Sequence, residues 1–215
     1  MARLNWLKNQ SVMTADARLI VGISGASGVV YGLRLLEVLK TLPVETHLVM
    51  TKAAEMTLAY ETDLKAAQVR ALADVTYPIA DVGAAIASGS YRTLGMVVAP
   101  CSVRSMSEMA TGVTSNLLTR AADVVLKERG RLVLMLRETP LHSGHLRNLL
   151  DLSEMGAVIA PPVPAFYTRP QSVDDIVDQS VGRVLDLFGL ESSKVTRWGE
   201  ESTRPLRRVK PSGSG

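Results

Sequence analysis

Arg18-Leu-Ile-Val-Gly-Ile-Ser-Gly-Ala-Ser-Gly28, followed at once by Val29 to Leu42, decides how the chain folds. Leu19 to Ser24 is apolar, β-branched and closed by glycine, the signature of a short buried strand. Gly25, Ala26, Ser27 and Gly28 then make a tight turn of small residues. Beyond it Val29, Val30, Leu33, Leu36 and Leu39 recur at helical spacing, so the turn opens an amphipathic helix. A strand, a glycine turn and a helix N-terminus form an anion site, because unpaired backbone N–H groups and the helix dipole converge on the turn. The glycine spacing is Gly22-x-x-Gly25-x-x-Gly28, which is not the dinucleotide fingerprint Gly-x-Gly-x-x-Gly. No Gly-Lys-Ser/Thr follows, so a P-loop is excluded as well. Taken alone, the stretch supports either a nucleotide or flavin site or a tight strand–helix turn without a ligand.

Working outward, the same alternation repeats. Strands are expected over 44–50, 94–100, 131–136 and 157–160, each followed by a helical pattern, the longest over 116–129 and 172–190. The segment 62–90 yields no firm assignment. Five short strands alternating with helices predict an α/β fold: a doubly wound parallel sheet, a flavodoxin- or Rossmann-like three-layer sandwich, with strand order 2-1-3-4-5 as the simplest choice. Ligands of such sheets sit beyond the carboxyl ends of the strands. There the sequence puts Ser24 to Gly28, Thr51, Ser102 to Ser105, Arg137-Glu138 and Phe166-Tyr167. Small hydroxyl residues, an arginine, a carboxylate and a tyrosine suit a phosphorylated ligand bound without metal.

Composition narrows the class. The chain has 215 residues, 47% of them apolar, with one cysteine and a formal charge of +3. A single cysteine rules out a disulfide framework and fits a reducing cytoplasm. Few aromatics and scattered basic residues argue against nucleic acid, and no apolar run reaches membrane-spanning length. Residues 1–17 are expected to be a flexible extension, and 191–215 a tail.

Three motifs invite a sharper reading. Asp174-Asp-Ile-Val-Asp178 mimics a Mg²⁺ box for diphosphates, but Ser172 is a good N-cap and acidic residues in a first turn suit the helix dipole by themselves. His142-x-x-His145 offers two imidazoles without a third ligand nearby, so no metal is expected. Cys101 is expected to be a buried filler rather than a nucleophile.

Several short stretches together resemble the UbiX-type flavin prenyltransferases. They are Gly22-Ile-Ser-Gly-Ala-Ser-Gly28, Glu61-Thr-Asp63, Pro100-Cys-Ser102, Arg120-Ala-Ala-Asp-Val-Val-Leu-Lys-Glu-Arg129, Arg137-Glu-Thr-Pro-Leu141, Pro164-Ala-Phe-Tyr167 and Pro170-Gln-Ser172. The resemblance runs from about residue 18 to 190, and implies a flavin-binding α/β domain over that range. It implies an enzyme that joins a dimethylallyl group from dimethylallyl phosphate to N5 and C6 of reduced FMN. The product, prenylated FMN, serves UbiD-type decarboxylases; whether in ubiquinone biosynthesis or aromatic-acid breakdown stays open.

By matching position, the resemblance gives FMN contacts to Gly25, Ala26, Ser27, Thr51, Ser102, Val103, Arg104, Ser105 and Arg137. Tyr167, Arg183, Lys127 and Arg120 would hold the donor's phosphate. Ser27 and Glu138 would lie at the reacting flavin, Glu61 would be a further active-site carboxylate, and Trp198 would match an aromatic of the tail. The resemblance also implies a homo-oligomer, a dodecamer in the family, and no metal. Where the family commonly has Ser or Thr after Pro-Cys-Ser, this chain has Val103-Arg104-Ser105. Two other functions compete with this one. A phosphopantothenoylcysteine-type decarboxylase needs a histidine and a Pro-x-Met-Asn motif where this chain has Ser88-Gly89-Ser90 and Arg137-Glu138-Thr139-Pro140. A non-catalytic flavin carrier would have no use for Lys127, Arg120 and Arg183.

Overall fold

The computed structural model describes residues 17–191. Trp198 therefore lies outside the described residues, as do nearly all of the expected extension and tail. The element order is β1 (Arg18–Ile23), α1 (Val29–Leu39), β2 (Glu45–Met50), α2 (Lys52–Glu61), α3 (Ala66–Arg70), β3 (Val75–Tyr77), β4 (Gly95–Cys101), α4 (Val103–Ala110), α5 (Leu117–Lys127), β5 (Arg131–Leu136), α6 (Ser143–Glu154), β6 (Val158–Ile159) and α7 (Val173–Asp186). Every strand pair is parallel.

Because helices cover both faces, the strands are buried on both sides and read as continuous apolar runs. Leu19, Val21 and Ile23 of β1, Val97 and Ala99 of β4, and Val133 and Met135 of β5 join one core with α1 and α7. The alternate residues Ile20, Met96, Val98, Leu132 and Leu134 join a second core with α4 and α5. Burial of one such aliphatic side chain stabilises by about 1.5–3 kcal/mol. A polar latch adds to the first core: Arg34 of α1 pairs with Asp178 of α7 at 2.9 Å.

The sheet has six strands in the order β3-β2-β1-β4-β5-β6. The expected five strands keep their expected order, but the sheet is extended at one edge by β3, from the segment left unassigned. With that strand the order becomes the 3-2-1-4-5-6 of doubly wound dinucleotide-binding folds, not the five-strand flavodoxin order. β3 spans three residues, too short to show a period. It is fixed by Asp74, whose carboxylate accepts the Thr46 N–H at 2.7 Å and the Thr46 hydroxyl at 2.8 Å. β1 sits between β2 and β4, so the strand order reverses there and a crevice opens beyond its carboxyl end.

Candidate active site

At that crevice lies a cleft of about 760 Å³, within the range of about 300–1,000 Å³ usual for small-molecule sites. Three strand–helix junctions build it. The first is the Gly25-Ala26-Ser27 turn after β1. Gly25 is required by its neighbour, because a Cβ there would stand 2.3 Å from the Ala53 Cβ of α2. Gly28, at φ 97°, caps α1 in a left-handed conformation without any side-chain cap of its own.

The expected open anion site at α1 is occupied. Glu61, the last residue of α2, reaches back so that its carboxylate accepts the Gly28 N–H at 2.9 and 3.0 Å and the Val29 N–H at 2.9 Å. The carboxylate satisfies the orphan donors and the helix dipole that the glycine turn would otherwise offer a ligand. Glu61 thus ties α2 to the turn after β1, and is not among the residues lining the cleft.

The second and third junctions retain helix N-termini at the cleft. Thr51 caps α2, its hydroxyl accepting the Ala54 N–H at 3.0 Å. Ser102 caps α4, accepting the Ser105 N–H at 3.3 Å. Ser24, buried, stitches β1 to β4: its hydroxyl donates to the Pro100 carbonyl at 2.9 Å and accepts the Ser102 N–H at 2.7 Å. The mouth of β5 closes the cleft, where Arg137 Nε donates to the Ser27 carbonyl at 3.2 Å and Glu138 accepts the Thr139 N–H at 3.0 Å.

All the residues assigned to FMN by resemblance line this one cleft, together with Glu138. Lys52, Ala53, Ile79, Glu108, Ser115, Asn116 and Thr139 line it too and were not foreseen. Asn116 was legible only as a helix start, and it does cap α5. Glu108 gave no signal in the sequence, being one acid among several on helical patterns.

Arg120, Lys127, Tyr167 and Arg183 do not line the cleft. Arg120 pairs with Asp123 at 2.8 Å, Lys127 with Glu128, and Arg183 with Asp186 at 2.6 Å. The Tyr167 hydroxyl accepts from Gln179 Nε2 at 3.4 Å. Arg183 is on the solvent side of α7, its side chain 57% exposed, rather than inside the apolar stripe. Tyr167 and the neighbouring Phe166 are exposed as well.

The remaining motifs resolve simply. His142 caps α6, its Nδ1 accepting the Gly144 and His145 N–H groups at 3.1 and 3.3 Å, while the two imidazoles stack at 3.6 Å. Asp175 closes a capping box with Ser172, and backbone N–H donors hold its carboxyl below the ordinary range. Cys101 is fully buried, which pushes its thiol up to about 12 and leaves it inert. Among the described residues no group of three or more His, Cys, Asp or Glu could hold a metal ion.

The family model Flavoprotein matches residues 7–185. The flavin prenyltransferase UbiX of Escherichia coli K12 is 59% identical over 184 residues, which cover 84% of this chain and 97% of the relative. The chain belongs to the flavin prenyltransferase family. In three dimensions this prenyltransferase is similar to AnUbiX (PadA1), solved in complex with FMN and dimethylallyl pyrophosphate. That likeness has a TM-score of 0.85 and 50% identity, and covers 87% of this chain and all of the other. It is also similar to a dodecameric, FMN-dependent UbiX-like decarboxylase from Escherichia coli O157:H7, with a TM-score of 0.83, 52% identity, and coverage of 84% and 98% of the two chains. The cleft fits a flavin mononucleotide: two hydroxyl-capped helix N-termini and Arg137 supply phosphate-type donors. No described helix is long and apolar enough to cross a membrane.

Proposed function

We propose that the cleft binds reduced FMN and that the chain transfers to it the dimethylallyl group of dimethylallyl phosphate. The observation that carries this reading is the convergence of the β1 turn, Thr51, the α4 cap and Arg137 on one cleft with Glu138 at its mouth. Bound FMN supplies the nucleophilic N5 and C6 positions. The protein's task is to stabilise the departing phosphate, which an allylic monophosphate needs because it is a poor leaving group. Lys127, Arg120, Arg183 and the Tyr167 hydroxyl supply that charge and directed hydrogen bonding. Glu138 takes up the proton that C6 gives up, so it works as a general base late in the reaction. Ser27 borders the reacting edge. Glu61 supports the turn that carries Ser27.

These donor-phosphate residues stand away from the cleft on a single chain, so the site is completed in a symmetric homo-oligomer, a dodecamer on the example of the UbiX-like neighbour. The product is passed to a UbiD-type decarboxylase, in the cytoplasm. The test is phosphate release: it requires both reduced FMN and donor, and continues undiminished in EDTA. Release that stops with EDTA and returns with Mg²⁺ contradicts the metal-free reading.

A further inference from the structure

The cleft wall carries an acid to which the proposed reaction assigns no part. Glu108 lies within α4 with its side chain only 16% exposed. Its Oε1 accepts from Arg104 Nε at 3.0 Å, and its Oε2 accepts from Ser115 Oγ at 2.6 Å and Asn116 Nδ2 at 3.5 Å. All four residues line the cleft. Asn116 is at the same time the cap of α5, its Oδ1 accepting the Thr119 N–H at 3.2 Å. A carboxylate on this wall opposes an anionic ligand unless it is neutralised, since a phosphate monoester carries about −1.5 to −2 charges at pH 7. Arg104 neutralises it, although that side chain is 84% exposed and contributes little packing.

We infer that Glu108 is a positioning residue for flavin binding, working with Arg104 as an internally neutral clamp that orders the α4 wall for a phosphorylated flavin. This rests on the reading of the cleft as the FMN site. Glu108 gathers three donors from α4 and the start of α5, so the wall is held by one hub. Arg104 keeps that hub from repelling the ligand. Loss of Arg104 therefore leaves a partly buried carboxylate facing the phosphate, and removal of the acid's charge cures the defect.

The experiment is a fluorescence titration of the full-length oligomer with FMN and, separately, with riboflavin, which lacks the phosphate. Arg104→Ala weakens FMN about tenfold, the order of an uncompensated charge acting across a partly hydrated cleft. Adding Glu108→Gln to it restores FMN affinity to within about threefold of wild type. Arg104→Ala costs riboflavin several-fold less affinity than it costs FMN, and the FMN defect shrinks as salt rises. Equal losses for FMN and riboflavin, or a double variant as weak as Arg104→Ala, overturn the inference while the FMN reading stands. Wild-type protein that takes up no FMN overturns both.

Discussion

The proposed function assigns Glu138 and Arg183 to different halves of the chemistry, and single side chains test that division. Glu138 lines the cleft mouth, where its carboxylate accepts the Thr139 N–H of its own loop. Glu138→Gln keeps its shape and loses the proton acceptor. FMN binding is retained and turnover drops by about 10²–10⁴-fold, read from a flavin titration and a product assay on one preparation; undiminished turnover removes Glu138 from the mechanism. Arg183 gives the opposite pattern. Charged hydrogen bonds to phosphate contribute about 1.5–3 kcal/mol, so Arg183→Ala raises the donor KM about ten- to a hundred-fold with FMN affinity unchanged. A collapse of FMN binding with a normal donor KM reverses the assignment of the two phosphates. The flavin-side residues were legible because each follows an apolar strand, where a doubly wound sheet must present them. Glu108 was not, because its importance comes from Ser115 and Asn116 across a turn, a contact that no local pattern announces.

At the scale of elements, the β1 turn shows what a sequence motif leaves out. Strand, glycine turn and helix were all read correctly, yet the donors at the α1 N-terminus go to Glu61, thirty-three residues away along the chain. Long-range capping has no local signature. Glu61→Ala strips the only side-chain cap among the described contacts of α1, and lowers unfolding stability by about 1 kcal/mol in denaturant titration. A stability equal to wild type contradicts the capping role. The three-residue strand β3 escaped for a related reason: side chains elsewhere hold it. Beside it His47, buried in β2, hydrogen-bonds the Tyr77 hydroxyl at 2.9 Å and pairs with Glu45 at 2.7 Å. Burial holds this imidazole below its ordinary pKa, with Glu45 opposing. A depressed folded pKa means a contribution fully present above the unfolded value, about 6.5, and lost as pH falls through the folded one. The urea midpoint of wild type therefore falls on acidification from about pH 7.5 to about pH 5.5, and His47→Gln reduces that fall. An acid slope as steep in the variant as in wild type contradicts it.

For the whole molecule, the central claim is that one cleft joins two substrates, and that copies of the chain complete it. Lys127 ends α5, outside the cleft, paired with Glu128 and 47% exposed. Inactive Lys127→Ala and Glu138→Gln subunits, unfolded together and refolded as mixed oligomers, regain part of the lost activity if each lesion falls in a different copy's share of a site. Mixed oligomers with no activity above the parents place both residues in one chain's site. The most direct measurement is the mass of the flavin after anaerobic incubation with dithionite and dimethylallyl phosphate. The account predicts FMN heavier by one five-carbon unit, formed only when both substrates and the protein are present; FMN recovered at its original mass, with the protein folded and flavin-loaded, would contradict it.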